Sequence, residues 1–236
     1  MEKLFGKSKN KVDHETSEHW VSVSDLMSGL MMVFLFISIA LMRHALIERD
    51  KIKEVAVAYQ NNQVALYEAL KKEFDPDLKK WNAEVDRDTL SFEFKSPDIL
   101  FGLGSSVMRP QFKEVLSDFF PRYMKVLNAF RESINEVRIE GHTSSQWNNG
   151  VNPEDAYFRN MELSQARTRS VLLFVQGLKS TSEDQAWVRR NVAAVGLSSS
   201  RLVLDDQGKE DAERSRRVTF RVISNAETQI RKLIQD

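Results

Sequence analysis

The chain has 236 residues, with 34 Lys plus Arg against 34 Asp plus Glu, four His and no Cys. The balanced charge, with no basic stripe interleaved with aromatics, speaks against a nucleic-acid partner. The lack of Cys excludes disulfides and thiol chemistry, and His14, His19, His44 and His142 show no metal-ligand spacing. No catalytic residue, metal or cofactor is expected, and the chain is not read as an enzyme.

Residues 1–19 are polar and mixed in charge and read as a mobile tail. Trp20 to Met42 then reads WVSVSDLMSGLMMVFLFISIALM, apolar except for Asp25, its one ionisable side chain. As a helix rising about 1.5 Å per residue it reaches about 35 Å, enough for a hydrocarbon core of about 30 Å. Arg43-His44 follow where a signal peptide would carry small cleavage-site residues, so residues 20–43 read as an uncleaved transmembrane helix. Lys3, Lys7, Lys9 and Lys11 before it are matched by Arg43, Arg49, Lys51 and Lys53 after it, so basic residues do not orient it.

Asp25 admits two readings. An ionisable group at membrane depth costs about 2.5–3.5 kcal/mol at a helix centre and marks an ion or proton path. Ser22-Val23-Ser24-Asp25 also has capping-box spacing, a hydroxyl followed three residues later by an acid, so Asp25 could cap a helix start.

Residues 44–79 read as a helical linker. They carry Ile52, Val55, Tyr59, Leu66, Leu70 and Phe74 at spacings near three and four, and Asp75-Pro76-Asp77 ends the pattern. The stripe either pairs with a second copy of the chain or packs on the domain that follows.

Residues 80–224 read as one domain. Leu90 to Phe94, Val137 to Glu140 and Arg217 to Ile223 alternate as strands, and Arg201 to Leu204 reads as a short one. Pro110 opens a helix running to about Arg131, and Phe158 to Gln176 forms another that stops at Gly177. A short helix or turn spans about Glu183 to Asn191. The fold class expected is α+β, a mixed sheet with helices on one face. Residues 225–236 are a polar, helix-prone tail.

Three stretches of this domain resemble the OmpA/MotB-type peptidoglycan-binding family. They are Ile99 to Ser106 ahead of the Pro110 helix, Ile139-Glu140-Gly141-His142-Thr143, and Asn160 to Arg167, which matches the family pattern N-x-x-L-S-x-x-R. Arg216-Arg217-Val218 is similar to the family's closing R-R-V. The resemblance covers about residues 88–224. It implies peptidoglycan binding through His142, Thr143, Ser144, Asn160, Leu163 and Arg167. Independently, wall peptides carry carboxylates and ammonium groups. Arg167 offers a planar fork for a carboxylate, Asn160 an amide donor and acceptor, and His142 and Thr143 lie at a strand end. Plainer roles stand beside these: Leu163 in the core, Arg167 paired with an acid, His142 structural. The family usually has Asp where this chain has Ser144, so either Glu154 or Asp155 supplies that charge or the ligand is held less tightly.

A tail, a membrane helix with an early Asp, a helical linker and a wall-binding domain together resemble the B subunits of flagellar stators. The wording around Asp25, SDLMSGLMMVFLF, is closer to the MotB-like subunits of Zorya antiphage defence systems. That resemblance implies a proton-driven motor in the bacterial inner membrane. Two copies of the chain would stand inside a ring of ZorA/MotA-like multi-span subunits, with the N-terminus cytoplasmic, the C-terminal domain periplasmic and Asp25 as proton carrier. A flagellar stator subunit, or a passive tether from membrane to wall, are the other readings.

Overall fold

The computed structural model describes residues 10–95, 100–148 and 150–225, in two compact units, Met1–Glu54 and Val55–Asp236. Ile99, the first nine residues and the tail after Asn225 lie outside the described residues.

The described residues of the first unit are helical. Helix α1 (Asn10–Leu78) starts at Asn10, so residues 10–19 are helix and not the expected tail. No Gly or Pro falls between Asn10 and Ser28 to stop it. Asp25 therefore lies well inside a helix and caps nothing at its N-terminus. From Leu26 to Met42 every side chain of this isolated chain is exposed, including Phe34, Leu35 and Phe36 at 60%, 59% and 69%. Among the described residues this is the one helix long and apolar enough to cross a membrane.

In the second unit the lower end of α1 belongs to the domain core. Leu66, Leu70 and Phe74 are buried there. The domain thus takes in residues expected to be linker, and this half of the stripe packs on its own domain. The helix runs through Pro76 to Leu78, three residues past Asp75, because its last turns are clamped. Arg122 reaches Glu73 at 2.8 Å and Asp77 at 2.9 Å, donates to the Glu73 carbonyl at 2.7 Å, and lies 4.8 Å over the Phe74 ring.

The sheet has five strands: β1 (Ala83–Asp86), β2 (Ser91–Lys95), β3 (Ile134–His142), β4 (Val192–Gly196) and β5 (Arg217–Ser224). Their order is β1-β2-β5-β3-β4, with β3 and β4 parallel and every other neighbour pair antiparallel. Helices α2 (Pro110–Asn128) and α3 (Pro153–Gln176) pack on one face. Short helices α4 (Gln185–Asn191) and α5 (Ala212–Ser215) lie in the connections. The fold is α+β with a mixed sheet, as the sequence pattern predicts.

Two expectations are corrected. Residues 201–204 form no strand: Leu204 makes a single bridge to Glu210. Two strands lie outside the sequence pattern, β1 and β4, and the VAAVG run of β4 is short with no alternation to betray it. Helix α3 begins at Pro153 rather than Phe158, because Asn152 caps it by accepting from the Asp155 N–H at 2.8 Å, and Pro suits the first helical position.

Strand alternation divides the sheet into two unlike faces. Phe92, Phe94, Val137, Ile139, Val218 and Phe220 point to the helices and meet Phe112, Leu116 and Phe119 of α2. Phe119 touches Phe92 and Phe220 at ring separations of 4.5 and 5.1 Å, and such pairs add about 0.5–1.5 kcal/mol each beyond burial. The opposite face carries Glu93, Arg138, Glu140, His142, Arg217 and Arg221.

Candidate functional site

A cleft of about 380 Å³ opens where β3 ends, between three loops and α3. Its floor depends on two glycines. Gly141 and Gly196 are register partners in β3 and β4, and a Cβ on either would fall 2.8 Å from Ser164 O or 2.4 Å from Gln165 N. Helix α3 therefore crosses in direct contact with the strand ends. This close approach carries Asn160, Ser164 and Arg167 to the loops.

Each of the three then fastens a loop. The Asn160 amide, buried, donates to the carbonyls of Ser144 and Gln146, both at 3.1 Å. Ser164 Oγ accepts the Ser198 N–H at 3.2 Å, and the Ser198 carbonyl in turn accepts the Thr143 N–H at 2.9 Å. Arg167, only 6% exposed, donates from Nε to the Ser105 carbonyl at 2.9 Å and from Nη2 to that of Gly102 at 3.3 Å, over the Phe101 ring at 5.0 Å. Gly102 to Ser105 is a tight turn closed by a 3.0 Å backbone bond, with Gly104 at φ +61° in the position that favours glycine.

The cleft is lined by Leu103, Gly104, Thr143, Ser144, Gln146, Trp147, Asn148, Asn160, Leu163, Arg167 and Arg216. Five residues expected at the site meet here: Thr143, Ser144, Asn160, Leu163 and Arg167. Thr143 is buried, and its Oγ1 has no hydrogen-bond partner among the described residues. A buried hydroxyl without a partner is costly, about 1–3 kcal/mol. Two guanidinium groups and the exposed amides of Gln146 and Asn148 suit a small polar ligand bearing a carboxylate.

His142 is not in the cleft. Its neighbours on the strand point the other way, so its ring lies on the charged face of the sheet. There Nε2 is 3.5 Å from Glu140 Oε2, and both side chains are almost wholly buried. Arg201 and Arg221 approach the same carboxylate at 3.5 and 3.9 Å. Burial raises the Glu140 pKa, but the His142 hydrogen bond and charge and the charges of Arg201 and Arg221 outweigh it and hold the group below the ordinary carboxylate value. Burial, aided by the positive charge of Arg217, depresses His142 despite Glu140. His142 Nε2 is the ring atom that faces Glu140. Its Nδ1 has no partner among the described residues.

Asp25, the other residue singled out by sequence, lies in the first unit on the exposed apolar helix. Beside it Ser28 Oγ turns back to the Ser24 carbonyl at 2.8 Å, and the side of Gly29 is open.

No family model matches the chain. It is 58% identical over 236 residues to the Zorya protein ZorB of Escherichia coli, with the whole of both chains covered. The chain belongs to the ZorB family. Among solved structures, a putative MotB-like protein from Desulfovibrio vulgaris superposes with a TM-score of 0.49 at 20% identity, covering 72% of this chain and 94% of that one. The cell wall anchor of the type VI secretion system from Pseudomonas aeruginosa gives 0.45 at 23% identity, over 66% of this chain and 96% of that one. The periplasmic domain of Helicobacter pylori MotB gives 0.42 at 12% identity, over 61% and 83%.

Within this ZorB-family chain, neither Glu154 nor Asp155 lines the cleft. Asp155 is engaged with Asn152 at the head of α3, at 2.8 Å. The carboxylate at the loop is Glu210, which accepts from the Ser145 N–H at 2.8 Å and from the Ser145 hydroxyl. Sequence reading missed it because 65 residues separate the two. It also passed over Trp147 and left Arg216 as part of a terminal motif; parity along β5, which sends Arg217 to the charged face, is the signal that separates the two arginines.

Proposed function

We propose that this chain is a MotB-like, peptidoglycan-anchored stator subunit of a Zorya-type motor that crosses the inner membrane once. Its cleft holds the wall, and Asp25 carries protons at the interface with a ZorA-like partner ring. What carries this reading is the presence in one chain of two separate devices. One is a lone carboxylate within the exposed apolar stretch of α1; the other is a cationic, amide-lined cleft.

The physical logic is direct. A carboxylate on an apolar helix requires water or protein around it, so partner helices must enclose Asp25. Ser28 and the open side of Gly29 let such helices come close. Proton uptake neutralises Asp25 and release restores its charge. One elementary charge moving through 100 mV supplies about 2.3 kcal/mol, enough for a few protons to drive a conformational step. Two copies held still by the wall would then turn the surrounding ring by charging alternately, with the N-terminus cytoplasmic, the cleft periplasmic and the activity directed against phage.

Asp25→Asn tests the motor. It preserves shape and hydrogen bonding but cannot cycle charge. Phage protection is expected to vanish while membrane assembly with the partner, read by co-purification, and sedimentation with sacculi persist. Full protection by Asp25→Asn would leave a passive tether as the better account.

A further inference from the structure

We propose that the cleft also binds the sugar strand of the wall, with Trp147 as a platform for one pyranose ring. This rests on the wall-binding reading above. A charged peptide end needs cations and hydrogen-bond donors, and Arg167 and Arg216 serve it. It has no use for the indole of Trp147, which lines the same cleft half-buried, nor for Leu103, which is 88% exposed on its rim.

A pyranose ring has the complementary chemistry. Its faces are C–H surfaces that lie on a flat aromatic ring, while its edge carries hydroxyls that donate and accept. Amides match that edge because they too donate and accept, and the exposed Gln146 and Asn148 bring two to the cleft. An acetamido sugar adds an amide of its own and a methyl group suited to Leu103. At about 380 Å³ the cleft falls within the usual range of small-molecule sites, about 300–1,000 Å³.

The platform is set in place in advance. Asn160 grips the carbonyls of Ser144 and Gln146, Glu210 grips Ser145, and the Val151 N–H returns to Asn148 O at 3.4 Å. Trp147 thus projects from a segment fastened on both sides. Ordering the loop on binding is avoided, which favours affinity.

The test uses the full-length protein in nanodiscs and calorimetric titration with two probes. One is the disaccharide-peptide released from sacculi by a muramidase; the other is the free stem peptide released by an amidase. Wild type is expected to bind the disaccharide-peptide at least tenfold more tightly than the free peptide. Trp147→Ala should abolish that difference and leave free-peptide affinity within about twofold, and Trp147→Phe should restore most of it. Equal wild-type affinity for the two probes, or equal weakening of both by Trp147→Ala, overturns the sugar subsite and leaves wall binding standing. If neither probe binds, the wall-binding reading falls and the subsite falls with it.

Discussion

Gly141 and Gly196 lie side by side in neighbouring parallel strands, and one helix, α3, rests on both. The glycine pair sets how deeply Asn160, Ser164 and Arg167 reach into the loops, so the cleft is as much a product of backbone contact as of its polar side chains.

Gly196→Ala should therefore strain the whole floor. The new methyl would meet the Gln165 backbone nitrogen at 2.4 Å, and backbone cannot rotate away as a side-chain end can. Overpacking of this kind costs about 1–3 kcal/mol. A thermal melt of the full-length protein should show a drop of several degrees, with sacculus binding reduced in parallel. Gly29→Ala, where the added methyl meets nothing within 4 Å, should leave the melt unchanged.

Arg167→Ala removes the guanidinium that fastens the Gly102–Ser105 turn and faces the cleft. Loss of a charge-assisted contact is worth about 1.5–3 kcal/mol, so affinity for sacculi or wall peptides should fall about tenfold to a hundredfold. Arg167→Lys should recover only part of this, since an ammonium cannot bridge two carbonyls in a plane. Undiminished binding by Arg167→Ala, with the fold confirmed by circular dichroism, would remove Arg167 from the site.

Glu210→Gln tests whether the distant carboxylate organises the 143–148 loop. A neutral amide can accept one of the two hydrogen bonds from Ser145 but loses the charge-assisted character of both. Hydrogen exchange at the Ser145 amide should accelerate, and wall binding should weaken less than in Arg167→Ala. Unaltered exchange at Ser145 would show that the loop keeps its shape without Glu210.

The buried pair on the far face of the sheet predicts sensitivity to acid. The folded-state pKa of His142 lies below its ordinary 6.5, so the unfolded chain binds that proton more readily. Stability should then decline as pH falls below about 6.5. Glu140, held below its ordinary 4.5, adds a second loss as pH falls below about 4.5 toward its folded value. Melting temperatures measured from pH 8 to 5 should show the first decline, and His142→Gln should flatten it. A slope that survives the substitution unchanged would assign the acid sensitivity to other groups.

Sequence made some parts of this plain and concealed others. The alternation of SFEFK and RVTFRVIS gives strands because each has one apolar and one charged face, and Pro110 marks a helix because it needs no N–H in the first turn. β1 (AEVD) and β4 (VAAVG) escape because four or five residues of mixed or small side chains carry no period. At the site, Asn160, Leu163 and Arg167 were legible from their spacing on one helix. His142 was grouped with Thr143 by adjacency, yet neighbours at a strand end point to opposite faces, and counting parity from Val137 and Ile139 would have parted them. The Glu210–Ser145 contact could not be read, since it is made by two loops that only the folded sheet brings together.

The junction between α1 and its domain determines how the molecule handles force. Leu66, Leu70 and Phe74 are interlocked sideways with the core, and Arg122 bolts the last turns through Glu73 and Asp77. Tension along this helix meets that row in shear, so the contacts must yield together and cannot peel off one at a time. A Gly- or Ser-rich tether would absorb the same pull as slack. The joint is thus a rivet, stiffer along the helix than such a tether.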